Sequence, residues 1–198
     1  MPPIAAIVLA AGQSKRMGRS KQLLSYGGKP VIRHCLDALL AGGLEKIVVV
    51  LGSTGAAIEP VIGNLPVTVV WNRAAASDMA DSVRAGLAAL AGDVAGVLVC
   101  LADHFLVKVA TLQTIMQAHA EHPDKIIIPV CQGRKGHPTL FPRPVLEEIT
   151  TLPTLRHIIN SESGRTLLLA VGDPAVTLDM DTPEDFRRIV AGGSAGKW

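Results

Sequence analysis

A loop rich in glycine and basic residues follows the first apolar segment of the chain. Ile4–Ala10 is continuously apolar, and the residues from Ala11 to Lys21 include two glycines, Ser14 and four basic side chains. Glycine lets backbone N–H groups approach a phosphate closely, and Lys and Arg neutralise its charge. The spacing is that of neither a P-loop nor a dinucleotide-binding fingerprint. We therefore predict a phosphate-binding loop of another kind, with a solvated basic loop as the alternative.

A carboxylate follows the most apolar segment of the chain. This segment is Val94–Leu101, and Asp103 stands two residues after its end. In an open α/β sheet, ligands bind outside the carboxyl ends of the strands, so Asp103 and the basic loop would lie on the same side. Carboxylate oxygens hold Mg²⁺ between phosphate oxygens, and Asp103 is therefore predicted to bind the metal. The alternative is that Asp103 caps the helix predicted at 108–120.

A second acidic segment, Leu-Asp-Met-Asp-Thr-Pro-Glu-Asp, occupies residues 178–185. On a strand, Asp179 and Asp181 would share one face, so one or both are placed to meet a metal. Thr182 and Asp185 have the spacing of a helix-capping pair, with a proline in the first turn. We predict that Asp181 binds Mg²⁺ together with the carboxylate of the first acidic motif.

Two stretches of small and polar residues follow other predicted strands. Asn72 directly follows one strand, and Met79 and Ser82 begin the helix behind it. The simpler interpretation is that Ser77 or Asp78 caps this helix and that the methionine packs in the core. A second stretch, Gly-x-x-Gly-His-Pro, lies at 133–138. A lone histidine is more often structural than catalytic, so we assign this one no role beyond contact.

These motifs need a sheet whose strands end on one side, and the hydrophobic pattern predicts such a sheet. Continuous apolar runs, typical of buried parallel strands, alternate with the stripes of amphipathic helices. The predicted strands are Ile4–Ala10, Ile47–Leu51, Val67–Trp71, Val94–Leu101, Ile126–Val130 and Val176–Leu178. Helices are predicted at 30–41, 56–62, 79–91, 108–120 and 183–190, and short strands, loops and two short helices at 131–170. The alternation predicts a three-layer α/β/α fold with a mostly parallel central sheet.

The composition excludes several classes of protein. The 198 residues are 48% hydrophobic and 18% charged, which argues against long disordered regions, and a net charge of +2 does not favour nucleic-acid binding. The apolar runs are too short to span a membrane. The 3 cysteines fit neither a disulfide framework nor a zinc site, so we expect a reducing, cytoplasmic environment. We expect one domain over residues 1–190 and a flexible tail at 191–198.

The segment from Leu9 to Lys21, Leu-Ala-Ala-Gly-x-Ser-x-Arg-Met-Gly-x-x-Lys, resembles a known signature. It is similar to that of the nucleotidyltransferases related to the molybdenum-cofactor enzymes, in particular the molybdenum cofactor cytidylyltransferase family. The resemblance implies a Rossmann-like nucleotidyltransferase fold whose loop wraps a nucleoside triphosphate. The implied nucleotide-binding residues are Leu9, Ala10, Ala11, Gly12, Ser14, Arg16 and Lys21, the last two on the phosphates. Members that use GTP usually have glycine in place of Ala11, so the resemblance favours CTP.

The same resemblance implies roles for the other motifs. Asp103 and Asp181 would bind the metal. Asn72, Met79 and Ser82 would contribute to recognition of base and ribose. Gly136, His137, Pro138 and Arg165 would face the second substrate. The chain departs from the family in three places: Asp78 replaces the usual glycine, His104-Phe105 replaces x-Pro after the metal-binding aspartate, and the segment 160–165 lacks the usual Gly-Asp.

The predicted reaction is the transfer of CMP from CTP to the terminal phosphate of the molybdenum-pterin cofactor, with release of pyrophosphate. Arg16, Lys21 and Asp103 would be the catalytic residues, and Mg²⁺ the cofactor. A molybdoenzyme would receive the product, and neither nucleic acid nor a membrane would take part. Two alternatives stay open. One is a transferase that uses GTP or another nucleotide with another phosphorylated acceptor, and the other is an accessory protein that binds the molybdenum cofactor without chemistry.

Overall fold

A computed structural model of the chain describes residues 3–12, 14, 17–18, 20–73 and 78–194, the last two of them by backbone alone. The strands are β1 Ile4–Ala10, β2 Ser25–Tyr26, β3 Lys29–Pro30, β4 Lys46–Leu51, β5 Thr68–Trp71, β6 Gly96–Leu101, β7 Ile126–Cys131, β8 Arg134–Lys135, β9 Thr139–Pro142 and β10 Thr166–Ala170. The α-helices are α1 Val31–Ala41, α2 Glu59–Ile62, α3 Met79–Ala88, α4 Val109–Glu121, α5 Arg143–Glu147, α6 Leu155–Asn160 and α7 Pro183–Ser194.

One eight-stranded sheet forms the centre of the fold. Its strand order is β10-β7-β9-β6-β1-β4-β5, and β8 pairs with β7 at one end. Strands β1, β4, β5 and β6 pair in parallel, as do β7 and β10, whereas β8 and β9 run antiparallel to their neighbours. The carboxyl ends of β1, β4, β5 and β6 therefore lie on one side of the sheet, where the sequence motifs were predicted to meet.

Alternation along the strands builds a core on each face of the sheet. In β1, Ala6 and Val8 pack into one core with α1 and α4, and Ala5 and Ile7 pack into the other with α3. The first core also takes Ile189 of α7, and the second takes residues of α5 and α6. These three layers confirm the predicted α/β/α architecture with a mostly parallel sheet.

Two predicted elements differ from the structure. Val176–Leu178 was predicted to be a strand, but Pro174–Thr177 forms a 3₁₀ helix, because Pro174 begins it and the Asp173 carboxylate accepts the Ala175 N–H at 3.1 Å. The edge strand is instead β10, in a segment that the sequence predicted only as short pieces. The last helix was expected to end at 190, and α7 continues to Ser194. Within the described ranges, the helices include none that is both long and apolar enough to cross a membrane.

A buried histidine links acidity to stability. His119 of α4 is fully buried, and among the described residues neither ring nitrogen has a hydrogen-bond partner of good geometry. The ring fits because residue 96 is glycine: a Cβ there would lie 2.6 Å from His119 Nε2. Burial lowers the pKa of the His119 imidazole, and the Ala95 backbone opposes this only in part.

Because the folded protein holds His119 neutral, stability should be full above about pH 6.5, the pKa expected in the unfolded chain, and should fall as the pH drops below it. We expect His119→Leu to lose less unfolding free energy between pH 7.5 and pH 5 than wild type does. Urea denaturation at the two pH values measures this. His122→Gln, at an exposed position just after α4, is the control and should leave the loss unchanged. Equal losses in wild type and His119→Leu would show that other groups cause the acid sensitivity.

Candidate active site

A cleft of about 350 Å³ opens where the parallel strands end. Its lining comes from the ends of β1 and β6, the start of α3, and the segments around residues 21 and 180. The lining residues are Leu9, Ala11, Gly12, Lys21, Gln22, Asp78, Met79, Ser82, Leu101, Asp103, His104, Asp179 and Asp181. Most of the residues predicted to bind nucleotide or metal therefore meet in one place.

The centre of the cleft is an ammonium group between two carboxylates. Lys21 Nζ donates to Asp103 and, at 3.3 Å, to Asp181 Oδ1. Burial of the ammonium opposes its charge, but the two carboxylates outweigh burial and raise the pKa of Lys21. Lys21 is therefore charged at neutral pH. The three groups come from distant parts of the chain, and their convergence is the main geometric result.

Hydrogen bonds within the basic loop hold Lys21 in place. The Lys21 N–H donates to Ser14 Oγ at 3.2 Å, and the Met17 N–H donates to the Ser14 carbonyl at 2.9 Å. Ser14 itself adopts a positive φ of 49°, which closes the loop. Arg16, predicted to contact phosphates, lies outside the described residues.

The carboxylate of Asp103 is directed by a tight turn after β6. The Ala102 N–H donates to the Leu9 carbonyl at 3.2 Å, and the His104 N–H donates to the Leu101 carbonyl at 3.1 Å. The departure from the family motif does not disrupt this turn, since Phe105 is buried and packs edge-on against Tyr26 at 5.2 Å.

The alternative interpretation, that Asp103 caps the following helix, is wrong. Helix α4 has Lys108 at its N-cap position and no side-chain cap. Its start is anchored by Asp173, whose Oδ2 accepts the Lys108 N–H at 2.9 Å and the Thr111 hydroxyl at 2.7 Å. Asp173 is itself buried. The Asp103 side chain is therefore left to face the cleft and Lys21.

A capping box fixes the end of the segment that carries Asp181. The Thr182 N–H donates to Asp185 Oδ2 at 2.8 Å, and the Asp185 N–H donates to Thr182 Oγ1 at 3.2 Å. The hydrogen bond from Thr182 is the main cause that lowers the pKa of Asp185 to about 2. The predicted capping pair is thus present, and it anchors Asp181 beside Lys21.

The start of α3 forms another wall of the cleft. Asp78 caps the helix and forms a capping box with Asp81, as the simpler interpretation predicted. Met79, by contrast, is 51% exposed rather than packed in the core, and it lines the cleft beside Ser82. Asn72 is buried behind them, and its Nδ2 donates to Ser82 Oγ at 3.1 Å. Asn72 therefore positions Ser82, and Met79 and Ser82 face the cleft.

A close backbone contact sets the position of Ala11 and Gly12. At Gly52, directly after β4, a Cβ would lie 2.4 Å from the Ala11 carbonyl oxygen and 2.9 Å from Ala11 Cα. Only glycine allows this approach of two strand ends. Of the predicted loop residues, Leu9, Ala11, Gly12 and Lys21 line the cleft, and the buried Ala10 does not.

A second cavity of about 520 Å³ adjoins the cleft and shares Met79 and Leu101 with it. It lies on the face of the sheet covered by α3 and α6. Its lining residues are Met79, Val99, Leu101, Ile128, Lys135, His137, Thr139, Phe141, Leu155, Arg156, Ile159 and Asn160. His137 is the member of the predicted Gly-His-Pro contact set that lines this cavity.

The other residues predicted to face the second substrate have structural roles instead. A Cβ at Gly136 would lie 2.3 Å from the Val176 carbonyl oxygen, so glycine is needed there for packing. Pro138 follows a cis peptide bond and is buried. Arg165 reaches neither cavity, because its guanidinium forms two hydrogen bonds with Glu148, at 2.7 and 2.8 Å.

Two histidine rings stand between the cavities. His104 lines the cleft, His137 lines the second cavity, and their ring centroids are 5.2 Å apart. Burial lowers the pKa of both rings, to about 4 for His137, where the nearby His104 adds to the effect. Both rings are therefore neutral at pH 7.

The pair Asp103 and Asp181 suits a divalent cation shared with phosphate oxygens. No group of three or more His, Cys, Asp or Glu ligands occurs in the part of the chain that the structure describes. Mg²⁺ commonly uses one or two carboxylates, with water and substrate phosphates as its other ligands. The Lys21 ammonium between the two carboxylates shows that this position attracts a positive charge.

Several cleft residues were not predicted from the sequence. Gln22 is buried beside Lys21 and accepts the Ser20 hydroxyl at 2.8 Å. It directly follows Lys21, the last residue of the predicted loop, and this position could have indicated a place in the cleft. His104 was noted only as a departure from the family. Asp179, which was weighed as a metal ligand, lies 3.9 Å from His104 Nε2 and 3.7 Å from an Arg134 nitrogen instead of beside Lys21.

Comparison with known proteins agrees with this geometry. The profile of the MobA-like NTP transferase domain matches residues 6–171. Nicotine blue oxidoreductase of Paenarthrobacter nicotinovorans is 28% identical over 96% of this chain and 98% of its own length. Molybdenum cofactor cytidylyltransferase of Escherichia coli K12 is 26% identical over 94% of this chain and 95% of its own length.

A solved structure shares the fold along the whole chain. Rv0371c of Mycobacterium tuberculosis H37Rv superposes with a TM-score of 0.82 at 31% identity, over 96% of this chain and 98% of its own. The same protein has been solved in complex with manganese, with a TM-score of 0.76, 28% identity and the same coverage of both chains. The predicted Rossmann-like nucleotidyltransferase fold is thereby confirmed.

Proposed function

Because this chain belongs to the MobA-like NTP transferase family and is a nucleotidyltransferase, we propose that it transfers CMP from CTP to the terminal phosphate of the molybdenum-pterin cofactor and releases pyrophosphate. The observation that carries the proposal is the convergence of Lys21, Asp103 and Asp181 in one cleft beside Gly12. This arrangement presents one charged ammonium and two carboxylates to a triphosphate and its metal.

Asp103 and Asp181 would hold Mg²⁺, which when bound neutralises phosphate charge and draws electron density from the α-phosphorus. The choice of a divalent metal is supported by the relative solved in complex with manganese. Binding would require Lys21 to leave the space between the carboxylates and turn toward the phosphates. The flexible stem of a lysine allows that change, since its ammonium is a point charge without fixed orientation.

The reaction then needs positioning and charge neutralisation more than proton transfer. An oxygen of the acceptor phosphate forms a bond to the α-phosphorus, the bond from that phosphorus to the bridging oxygen breaks, and pyrophosphate leaves with the electron pair. The attacking phosphate is already anionic, so no general base is required. Lys21 would remain charged through the step, because an ordinary lysine ammonium titrates far above neutral pH and the phosphate oxygens that it holds favour its charge.

The second cavity is the proposed place of the acceptor. It opens into the cleft beside Met79 and Leu101, so an acceptor there can reach the α-phosphorus. His137 would contact it with a neutral ring. We infer a cytoplasmic location, supported by three buried and unpaired cysteines, and a molybdoenzyme as recipient of the product.

The choice of CTP rests on Ala11, whose side chain lines the cleft where GTP-using members usually have glycine. Thermal unfolding with CTP, GTP, ATP and NADH, each with and without Mg²⁺, tests the choice. At a hundredfold excess over Kd, CTP with Mg²⁺ should raise Tm by about 5 to 10 °C, and each of the others by much less.

The remaining outcomes separate the alternatives. Stabilisation by GTP or ATP with Mg²⁺ would still support a nucleotidyltransferase but would reject CTP as its substrate. Stabilisation by none of the nucleotides would favour an accessory protein that binds the molybdenum cofactor. Stabilisation by NADH alone would favour a redox function, for which the relative named nicotine blue oxidoreductase gives a reason to test.

A further inference from the structure

We infer that the acceptor carries a second anionic group, remote from the phosphate that attacks the nucleotide, and that Arg156 and Lys135 bind it. The inference rests on the proposed function, because it takes the second cavity as the acceptor site. It adds a chemical requirement that nucleotidyl transfer alone does not impose. A molecule with only one phosphate would satisfy the reaction and leave this cavity's cations without an anion.

The two cations are separated from the reaction centre. Arg156 of α6 and Lys135 of β8 line the second cavity and not the cleft. Lys21, Asp103 and Asp181 line the cleft and not the second cavity. The attacking phosphate must lie in the cleft, next to the α-phosphorus. A group bound by Arg156 and Lys135 is therefore a different group of the same acceptor.

Neither cation is neutralised by the protein. Among the described residues, Arg156 and Lys135 form no ion pair or side-chain hydrogen bond, and the cavity lining contains no carboxylate. Other arginines on this face are paired: Arg165 binds Glu148 at 2.7 Å, and Arg84 binds Asp81 at 2.7 Å. Both residues are exposed, and both line the same concave surface without a protein counter-charge among the described residues. An unpaired arginine there offers an oxyanion two parallel donors.

The rest of the cavity specifies the body of the acceptor. Its floor is the apolar face of three strands, with Val99, Ile128 and Phe141 all buried. Leu155 and Ile159 of α6 add further apolar surface, and Asn160 lies one turn after Arg156 and adds amide donors. An acceptor that fits has a body that lies against this floor beside Asn160, one phosphate directed to the cleft, and an oxyanion near α6.

Two small probes isolate the second anion. Phenyl phosphate carries one phosphate, and 4-carboxyphenyl phosphate adds a carboxylate across the ring. Calorimetric titration of the full chain should give a Kd at least about tenfold lower for 4-carboxyphenyl phosphate, because a charge-assisted hydrogen bond is gained. Arg156→Gln should abolish that advantage. Arg187→Gln, which changes an exposed arginine of α7, should keep it.

Equal affinities for the two probes, an advantage that survives Arg156→Gln, or no binding of either probe would each overturn the inference. The test is independent of CTP, since both probes are titrated without nucleotide. Failure of Mg²⁺–CTP to bind would count against the proposed function, and the comparison of the two probes could still be interpreted. Melting curves of the two variants check that each is folded.

Discussion

Asp103→Ala is expected to lower the rate of pyrophosphate release from CTP by about a thousandfold while the protein stays folded. The carboxylate is directed into the cleft by the turn after β6, and it forms an ion pair there with Lys21. It does not cap α4, which begins at Lys108 without a side-chain cap. Its loss should therefore affect metal and phosphate binding far more than folding. The assay is pyrophosphate release with CTP, Mg²⁺ and the molybdenum-pterin cofactor.

Asp37→Ala is the matched control, because Asp37 also forms an ion pair, with Lys29 at 2.7 Å, but lies exposed outside the cleft. Its activity should equal that of wild type. Asp103→Asn, which keeps the shape and removes the charge, should be nearly as inactive as Asp103→Ala. A rate within a few-fold of wild type in Asp103→Ala would remove this residue from the metal site.

Gly52→Ala is expected to weaken Mg²⁺–CTP binding by at least about tenfold and to lower the unfolding free energy by about 1–3 kcal/mol. The added Cβ would lie 2.4 Å from the Ala11 carbonyl oxygen, and backbone cannot yield as a flexible side chain can. The loop after β1 must move away, and the nucleotide contacts of Ala11 and Gly12 move with it. Calorimetric titration with Mg²⁺–CTP and urea denaturation measure the two effects.

Gly172→Ala provides the comparison, since Gly172 lies two residues after the end of β10 and a Cβ there meets no atom within 4 Å. That variant should bind Mg²⁺–CTP as wild type does. If Gly52→Ala also binds normally, the contact between the two strand ends does not position the nucleotide loop.

The sequence predicts the central part of this fold because burial leaves a simple pattern there. The strands with continuous apolar runs, β1, β4 and β6, were located to within two residues of their observed ends. The same logic predicted that Lys21 and Asp103 would meet, because parallel strands end on one side of a sheet. The capping pair at Thr182 was also predictable, since it depends on residues three apart.

Features that depend on contacts between distant segments could not be predicted. Pro174–Thr177 has an apolar valine that suggests a strand, but a carboxylate one residue earlier sets a 3₁₀ helix. Arg165 matches a family position, yet Glu148 captures its guanidinium. The second cavity arises from the gap between α3 and α6, and among its lining residues only Met79 and His137 belong to the site residues predicted from the sequence.

The most direct test follows the phosphorus atoms of CTP. The protein is incubated with Mg²⁺ and the molybdenum-pterin cofactor, and with CTP labelled either at the α- or at the γ-phosphate. Nucleotidyl transfer through the cleft of Lys21, Asp103 and Asp181 predicts that α-label appears in the pterin product and that γ-label appears only in pyrophosphate. Appearance of γ-label in the pterin, or no transfer of either label, would contradict it.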